Sequence, residues 1–247
     1  MKNRNSNCYG FFLGTLWCVL LAGCTVPTPQ EVGTNSATST YYPDWMAQAS
    51  FVPTFNVLDT QSSLGPYAEE TKNIGLKDLI RMHGHPCDGL VTAACGIRLG
   101  LSRLYPDGPI DRTDTACITN NSPCYGDVAA YLTGGRIRFG TQKIDPSLSN
   151  EFILYRLSTN RAVKVSLRDG VFPQQVAELE KKLKSGVFTI EEMQQCQQLQ
   201  WEYAKGLLST PLEQSFVVAD LTDFVWTPDP YIYRGPRGDI MNKHKHP

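Results

Sequence analysis

The chain has 247 residues, of which 41% are hydrophobic and 19% charged, as in an ordinary globular protein rather than a disordered one. Its 23 basic and 24 acidic residues give a formal charge of −1, and no run of lysine and arginine is interleaved with aromatic residues. This balance argues against a nucleic-acid partner, because such proteins bind phosphates with clustered basic side chains.

The N-terminus has the order of an export signal. Lys2 and Arg4 precede the apolar run FFLGTLWCVLLAGC, which is short for a membrane span but suits the core of a signal peptide. The run ends in Leu-Ala-Gly-Cys, which resembles a bacterial lipobox and implies cleavage before Cys24 with diacylglycerol on its sulfur. We therefore expect a lipoprotein signal peptide over 1–23 and a protein anchored in the cell envelope, at the periplasmic side or the cell surface. A plain signal peptide that is cut nearby is the alternative.

The mature chain is expected to begin with a tether and an arm over 24–66. Its first part is rich in Thr, Pro and Ser, which is typical of a flexible linker. The stretch from about 41 to 67 has no clear periodicity, and we interpret it as an arm laid on the domain rather than a core element. The domain proper is predicted over 67–226, and a C-terminal tail over 227–247.

Two helices are predicted at the start of this domain. The first carries residues at the spacing of one helical face: Leu76, Leu79, Ile80 and His83. His83 therefore ends this helix with its side chain toward the interior, and Gly84 stops it. The second helix is predicted from Gly89 to about Tyr105, with Asp88 as its cap.

The stretch RMHGHPCDGL, between these helices, crowds His83, His85 and Cys87 into five positions of a chain with only four histidines. Imidazole and thiolate are good ligands for borderline-soft metals and also serve as base and nucleophile. Cys87 precedes the second helix, whose N-terminal N–H groups and dipole favour a thiolate there. The cluster therefore predicts a metal site or a reactive thiol.

Beyond Pro109 the period changes to that of strands. Strands are predicted at DRTDTACIT, RIRFGTQKI, EFILYRLST, RAVKVSLRD and QSFVVADL, with a hairpin near Asn160. Helices are predicted at SPCYGDVAAYLTGG, FPQQVAELEKKLKSG and TIEEMQQCQQLQWEYAKGLLS, the last capped by Thr189 with Glu192. Because strands and helices are segregated, we expect an α+β fold with an antiparallel sheet packed against helices.

Export would leave an odd number of cysteines. Of eight, two leave with the signal peptide and Cys24 is lipidated, so the mature domain keeps Cys87, Cys95, Cys117, Cys124 and Cys196. In an oxidising compartment at least one of five must be free, metal-bound or paired to another chain. Cys95 and Cys196 lie in helical stretches and are expected to pack as small hydrophobic residues.

The motif HGHPCDGL, followed about thirty residues later by NSPCYGDVAAYLTGG and then by a sheet ending in RAVKVSLR, resembles the core of the FmdE family. This family is named for the FmdE component of formylmethanofuran dehydrogenase, and the resemblance spans roughly 67–224. It implies an α+β core that forms homodimers. It also implies a site drawn from both motifs: His83, His85, Cys87, Asn121, Cys124 and Asp127.

The chain departs from the family pattern at several points. Gly135 stands where the family tends to carry another cysteine, and no cysteine follows Cys196, so the C-terminal zinc finger of some members is absent. The namesake works inside the cell on a molybdenum or tungsten enzyme, which an exported lipoprotein cannot do. The resemblance therefore transfers a fold and a site rather than a pathway.

We expect a divalent transition metal, zinc first, on His83, His85 and Cys87, with Cys124 as a fourth ligand or standing off. Four ligands suggest a structural or metal-carrying role, whereas three leave an open position for Lewis-acid or hydrolytic chemistry. Asn121 and Asp127 would orient the ligands; alternatively, Asp127 only satisfies the dipole of its helix. The other expected partners are the membrane, through Cys24, and an unknown small molecule.

Two rival functions are kept beside the metal site. One is a thiol enzyme with Cys87 as nucleophile, His83 or His85 as base and Cys124 as resolving thiol. The other is a metal-free lipoprotein that binds a ligand, in which Cys124 is free to form a disulfide with Cys117 or Cys87. No GxSxG, HExxH, Walker or GxGxxG motif indicates a better-known enzyme class, so neither catalysis nor a substrate is assigned.

Overall fold

The structure, a computed structural model, describes residues 41–62, 65–137 and 140–227. The predicted signal peptide over 1–23, the tether and the tail from residue 228 lie outside the described residues. All described residues belong to one compact unit.

Helices and strands in the described ranges form a mixed α+β fold, as predicted. The helices are α1 (Asp44–Ala47), α2 (Leu76–His83), α3 (Asp88–Leu104), α4 (Pro123–Thr133), α5 (Gln174–Lys184), α6 (Ile190–Ser209) and α7 (Leu212–Ser215). The strands are β1 (Thr54–Ser62), β2 (Gly65–Gly75), β3 (Ile110–Asp111), β4 (Thr115–Thr119), β5 (Gln142–Ile144), β6 (Glu151–Arg156), β7 (Arg161–Leu167) and β8 (Phe216–Leu221). None of these helices is both long and apolar enough for a bilayer crossing.

The larger sheet has the strand order β5-β4-β6-β7-β8. Its pairs are antiparallel except for β4 and β5, which run parallel. β6 and β7 form the predicted hairpin, and Asn160 in their turn has φ 51°, a left-handed conformation that asparagine tolerates. Of the described residues in the predicted strand RIRFGTQKI, Gln142–Ile144 form β5, while the Arg136 N–H donates to the Thr141 hydroxyl at 2.9 Å rather than to a neighbouring strand.

The smaller sheet corrects the expectation of an arm without core elements. Its order is β2-β1-β3, so the stretch before residue 67 supplies β1 and the start of β2. Phe55 and Val57 of β1 are buried in the core, and so is Met46 of α1. The sequence has no clear strand period here because, in the part of β1 whose burial is described, Phe55 and Val57 are the buried residues and the others are mostly polar.

Helix α3 lies at the centre of the core and is almost entirely buried. Gly96 faces Phe152, and Gly100 lies so close to the sheet that an added Cβ would come 2.5 Å from Val165 and 2.7 Å from Leu154. The absence of side chains at these two positions lets the helix approach the large sheet closely. The N-terminus of α3 is thereby held at a fixed place between α2, α4 and the sheet.

Candidate metal centre

The end of one helix and the starts of two others meet at the HGHPC motif. Helix α2 ends at His83, and Gly84 with φ 105° turns the chain, a left-handed conformation suited to glycine. The chain then passes through His85 to Cys87, where α3 begins, and Cys124 stands in the first turn of α4. The two sequence motifs are therefore neighbours in space.

The first motif forms a compact group of donor atoms. The ligand atoms of His83, His85 and Cys87 all lie within 4.8 Å of one another, and Nε2 of His83 is 3.7 Å from Sγ of Cys87. In tetrahedral zinc sites, bonds of about 2.0 Å to nitrogen and about 2.3 Å to sulfur place such atoms about 3.5 Å apart. The donors are thus of the right chemistry and close to the right spacing for one zinc-like ion.

Cys124 extends this group on the side of Cys87. Its Sγ lies 3.5 Å from Sγ of Cys87, close to the separation of about 3.8 Å between two thiolates on one zinc ion. It is not part of the group of three mutually close donors. Cys87 and Cys124 are free thiols. The Sγ of Cys117 accepts a hydrogen bond from the Thr133 hydroxyl at 3.3 Å. The arrangement therefore offers three close ligands and a fourth beside them.

Asp127 holds His83 from behind. Its Oδ2 lies 2.8 Å from Nδ1 of His83, whose side chain is 5% exposed. A carboxylate accepts a hydrogen bond from a protonated ring nitrogen. The ring therefore keeps its proton on Nδ1, and the lone pair of Nε2 is directed toward Cys87. This contact favours the interpretation in which Asp127 orients a histidine over the one in which it only satisfies the dipole of its helix.

The role of Asn121 that the resemblance implied stays a prediction. The residue is exposed on the rim of a cavity, and within the described ranges no hydrogen bond joins it to the histidines or cysteines. Its neighbour Asn120 has a structural role, since its Oδ1 accepts the Ser122 N–H at 2.9 Å and shapes the turn into α4.

Cys87, rather than Asp88, caps α3. Its backbone is extended and its Sγ accepts the Leu90 N–H at 3.4 Å, whereas Asp88 is the first helical residue. The sequence predicted a favoured thiolate at Cys87, whereas the structure favours one at Cys124. The hydrogen bond from Cys87 lowers the pKa of Cys124 to about 6, and His83 also lowers it. The same contact, followed by burial, raises the pKa of Cys87. The neighbouring sulfur therefore affects the pKa of Cys87 more than the N–H groups at the start of α3 do.

A cavity of about 790 Å³ opens in front of the cluster. One wall is formed by the starts of α3 and α4, and it includes His85, Cys87 and Cys124. The other wall comes from α5, α6 and the segment before them, and its apolar residues include Phe172, Leu183, Met193 and Trp201. A small molecule in the cavity therefore lies against the donor atoms.

Asp88 also belongs to this site, although its position in the sequence predicted only an N-cap for α3. It lines the cavity and is 7% exposed. Burial, and then the negative charge of Glu180, raise its pKa to about 6. The sequence signal was ambiguous, because an aspartate before an apolar helical run is most often a cap.

Comparison with known proteins identifies one matching family. The family model described as FmdE, molybdenum formylmethanofuran dehydrogenase operon, matches residues 82–217, a range that contains both motifs and both walls of the cavity. A solved structure similar to this chain is that of an FmdE-like protein, related to tungsten formylmethanofuran dehydrogenase, from Syntrophus aciditrophicus. It is 18% identical, with a TM-score of 0.42, over 60% of this chain and 72% of that chain. No curated protein matches this chain.

Proposed function

The chain belongs to the FmdE family, and on that premise we propose that it binds one divalent transition-metal ion, zinc first, through His83, His85 and Cys87. The observation that carries this proposal is the approach of these three donor atoms to within 4.8 Å of one another. Imidazole nitrogen with thiolate sulfur is the donor set that zinc prefers in proteins. The function is therefore metal binding, with metal-dependent chemistry on a ligand in the cavity as its extension.

Each neighbouring residue has a distinct part in this proposal. Asp127 fixes the ring of His83, and the start of α3 fixes Cys87 through the Leu90 N–H. Cys124 is the fourth ligand of the resting protein, supported by its 3.5 Å contact with Cys87. When bound, the ion would supply Lewis acidity to a molecule that takes the place of Cys124.

Metal analysis of the full-length chain, purified without a His tag or chelator, tests the proposal. We expect about one transition-metal ion per chain, lost in His85→Ala. His246→Ala is a matched control, because it removes a histidine of the C-terminal sequence KHKHP instead of one from the HGHPC motif. A wild type without metal, or a His85→Ala variant that keeps it, would overturn the metal site.

The setting of the protein is also a proposal. We propose export and anchoring in the cell envelope through a lipid on Cys24, supported by the basic start, the apolar core and the cysteine at its end. Labelled palmitate should appear in the wild type, and Cys24→Ala should lose the label and leave the membrane fraction. Light scattering of the purified protein tests the homodimer that the family resemblance implies.

A thiol oxidoreductase is the second candidate, favoured by the contact of Cys87 and Cys124. In this case Cys124, whose pKa is lowered, attacks a substrate disulfide and Cys87 then displaces the remaining substrate thiol, leaving an internal disulfide; these roles are the reverse of those expected from the sequence. Cys87→Ser should trap the mixed disulfide at Cys124, detectable by mass spectrometry. Under the metal proposal the same variant loses metal affinity and traps nothing.

A further inference from the structure

Asp88 is a buried carboxylate that no basic side chain neutralises among the described residues. It is 7% exposed and lines the cavity, and the groups that bond to its side chain are backbone N–H groups at the start of α3. The proposed metal would not balance it, since the thiolates of Cys87 and Cys124 already match a divalent charge. The N–H groups at the start of α3 supply partial positive charge but no full opposite charge, so a cation in the cavity would complete the neutralisation of Asp88.

The neighbouring carboxylate of Glu180 is already satisfied. Its Oε2 accepts Lys184 Nζ at 3.0 Å, and its Oε1 accepts Gln200 Nε2 at 2.9 Å. Lys184 is thereby engaged by Glu180 rather than by Asp88. Asp88 and Glu180 both line the cavity, and Glu180 is paired with Lys184. Asp88 therefore remains a cavity carboxylate without a basic side-chain partner among the described residues.

Aromatic side chains line the same cavity. Tyr125, Phe172 and Trp201 all contribute to its walls. The faces of aromatic rings carry negative partial charge and attract organic cations, tryptophan most strongly. A buried carboxylate together with aromatic walls is a combination that selects an ammonium group over a neutral or anionic group of the same size.

We propose that the cavity binds a small organic ligand with an ammonium group, for which Asp88 is the counter-ion and the aromatic walls hold the apolar part. A volume of about 790 Å³ is sufficient for such a molecule. The inference rests on the proposed function in one respect: the end of the ligand opposite the ammonium group would face the metal site. The ammonium subsite itself uses no metal ligand.

The test compares three probes of one shape by titration calorimetry on the full-length chain near neutral pH: benzylamine, benzyl alcohol and benzoate. We expect benzylammonium to bind at least about tenfold more tightly than benzyl alcohol, and benzoate to bind most weakly, because a charge-assisted hydrogen bond to a buried carboxylate is strong. Equal affinities, or tighter binding of benzoate, would overturn the ammonium subsite. This comparison needs no variant.

Asp88→Asn assigns the preference to one residue. The substitution keeps the size of the side chain and removes its charge, so the preference for benzylammonium should disappear, while the exposed control Asp107→Asn keeps it. A preference that survives in Asp88→Asn would also overturn the inference. His83→Ala separates the two proposals, because His83 is a proposed metal ligand that does not line the cavity, so this variant should lose metal and keep the preference. A wild type that holds no metal but prefers benzylammonium would overturn the metal site and support the subsite.

Discussion

Nδ1 of His83 lies 2.8 Å from Oδ2 of Asp127, and this pair joins the end of α2 to α4 behind the cluster of donor atoms. A carboxylate in this position fixes the ring of a ligating histidine and raises its basicity. It therefore allows the cluster to be tested without removing a donor atom.

Asp127→Asn should weaken metal binding by about 10- to 100-fold while leaving the fold intact. The amide no longer carries the negative charge that polarises the imidazole. Competition with a chromophoric chelator measures the affinity, and Asp107→Asn is the control for removal of an exposed carboxylate. Equal affinities of wild type and Asp127→Asn would mean that the contact is structural only.

Substitutions of Cys87 should separate its two roles. Cys87→Ser should lower metal affinity by more than about 100-fold. Loss of a residue that only hydrogen-bonds to a ligand costs up to about 100-fold, and loss of a ligand should cost more. The unfolding free energy of this variant without metal should change little, since serine is a good N-cap for α3. Cys87→Ala should lose the metal and also about 0.5–2 kcal/mol of stability. Chemical denaturation of the metal-free proteins makes the comparison, and equal stabilities of the two variants would contradict the cap.

Two helical glycines should respond in opposite directions to alanine. Gly100→Ala would bring a Cβ to 2.5 Å from Val165, so we expect a loss of about 1–3 kcal/mol in unfolding free energy. Gly206→Ala, in α6, meets nothing within 4 Å and should gain about 0.5–1 kcal/mol through helix propensity. Urea denaturation distinguishes them, and a neutral Gly100→Ala would show that α3 can move away from the sheet.

Oxidised glutathione should convert Cys87 and Cys124 of the metal-free protein to a disulfide. Their sulfur atoms are already 3.5 Å apart, and the reaction releases two molecules of reduced glutathione per disulfide formed. Peptide mapping should find this link, while the buried thiols of Cys95 and Cys117 stay reduced. Zinc added beforehand should slow the reaction because it holds both thiolates. No protection by zinc would contradict metal binding through Cys87 as well as Cys124.

The elements with a clear period could be predicted from the sequence. The two helices around the HGHPC motif, the hairpin at Asn160 and the capping box of α6 were all predicted, and Thr189 and Glu192 bond as expected, at 3.2 and 3.0 Å. β1 was not predicted, because in the part of the strand whose burial is described only Phe55 and Val57 are buried. Its pairing with β2 joins positions as far apart as Thr54 and Gly75, which no local pattern reveals.

The candidate site was predictable only in part. His83, His85 and Cys87 attract attention by spacing alone, whereas Cys124 and Asp127 were added through the family resemblance, because nothing local connects them to residues some forty positions earlier. The contact between Cys87 and Cys124 lowers the pKa of Cys124 and raises that of Cys87, and that contact exists only in the folded chain. The environment of Asp88 likewise depends on Glu180, far along the sequence.

The two walls of the cavity come from separate stretches of the chain. Residues 83–127 supply every donor atom and are packed into the core through α3, whereas α5 on the opposite wall buries only Val176. The proposed donor atoms and the shape of the opposite cavity wall therefore depend on different segments of the chain. Substitutions along α5 and α6 can change which molecules the protein accepts while its reactive centre stays the same, so members of one family can diverge in specificity without rebuilding their chemistry.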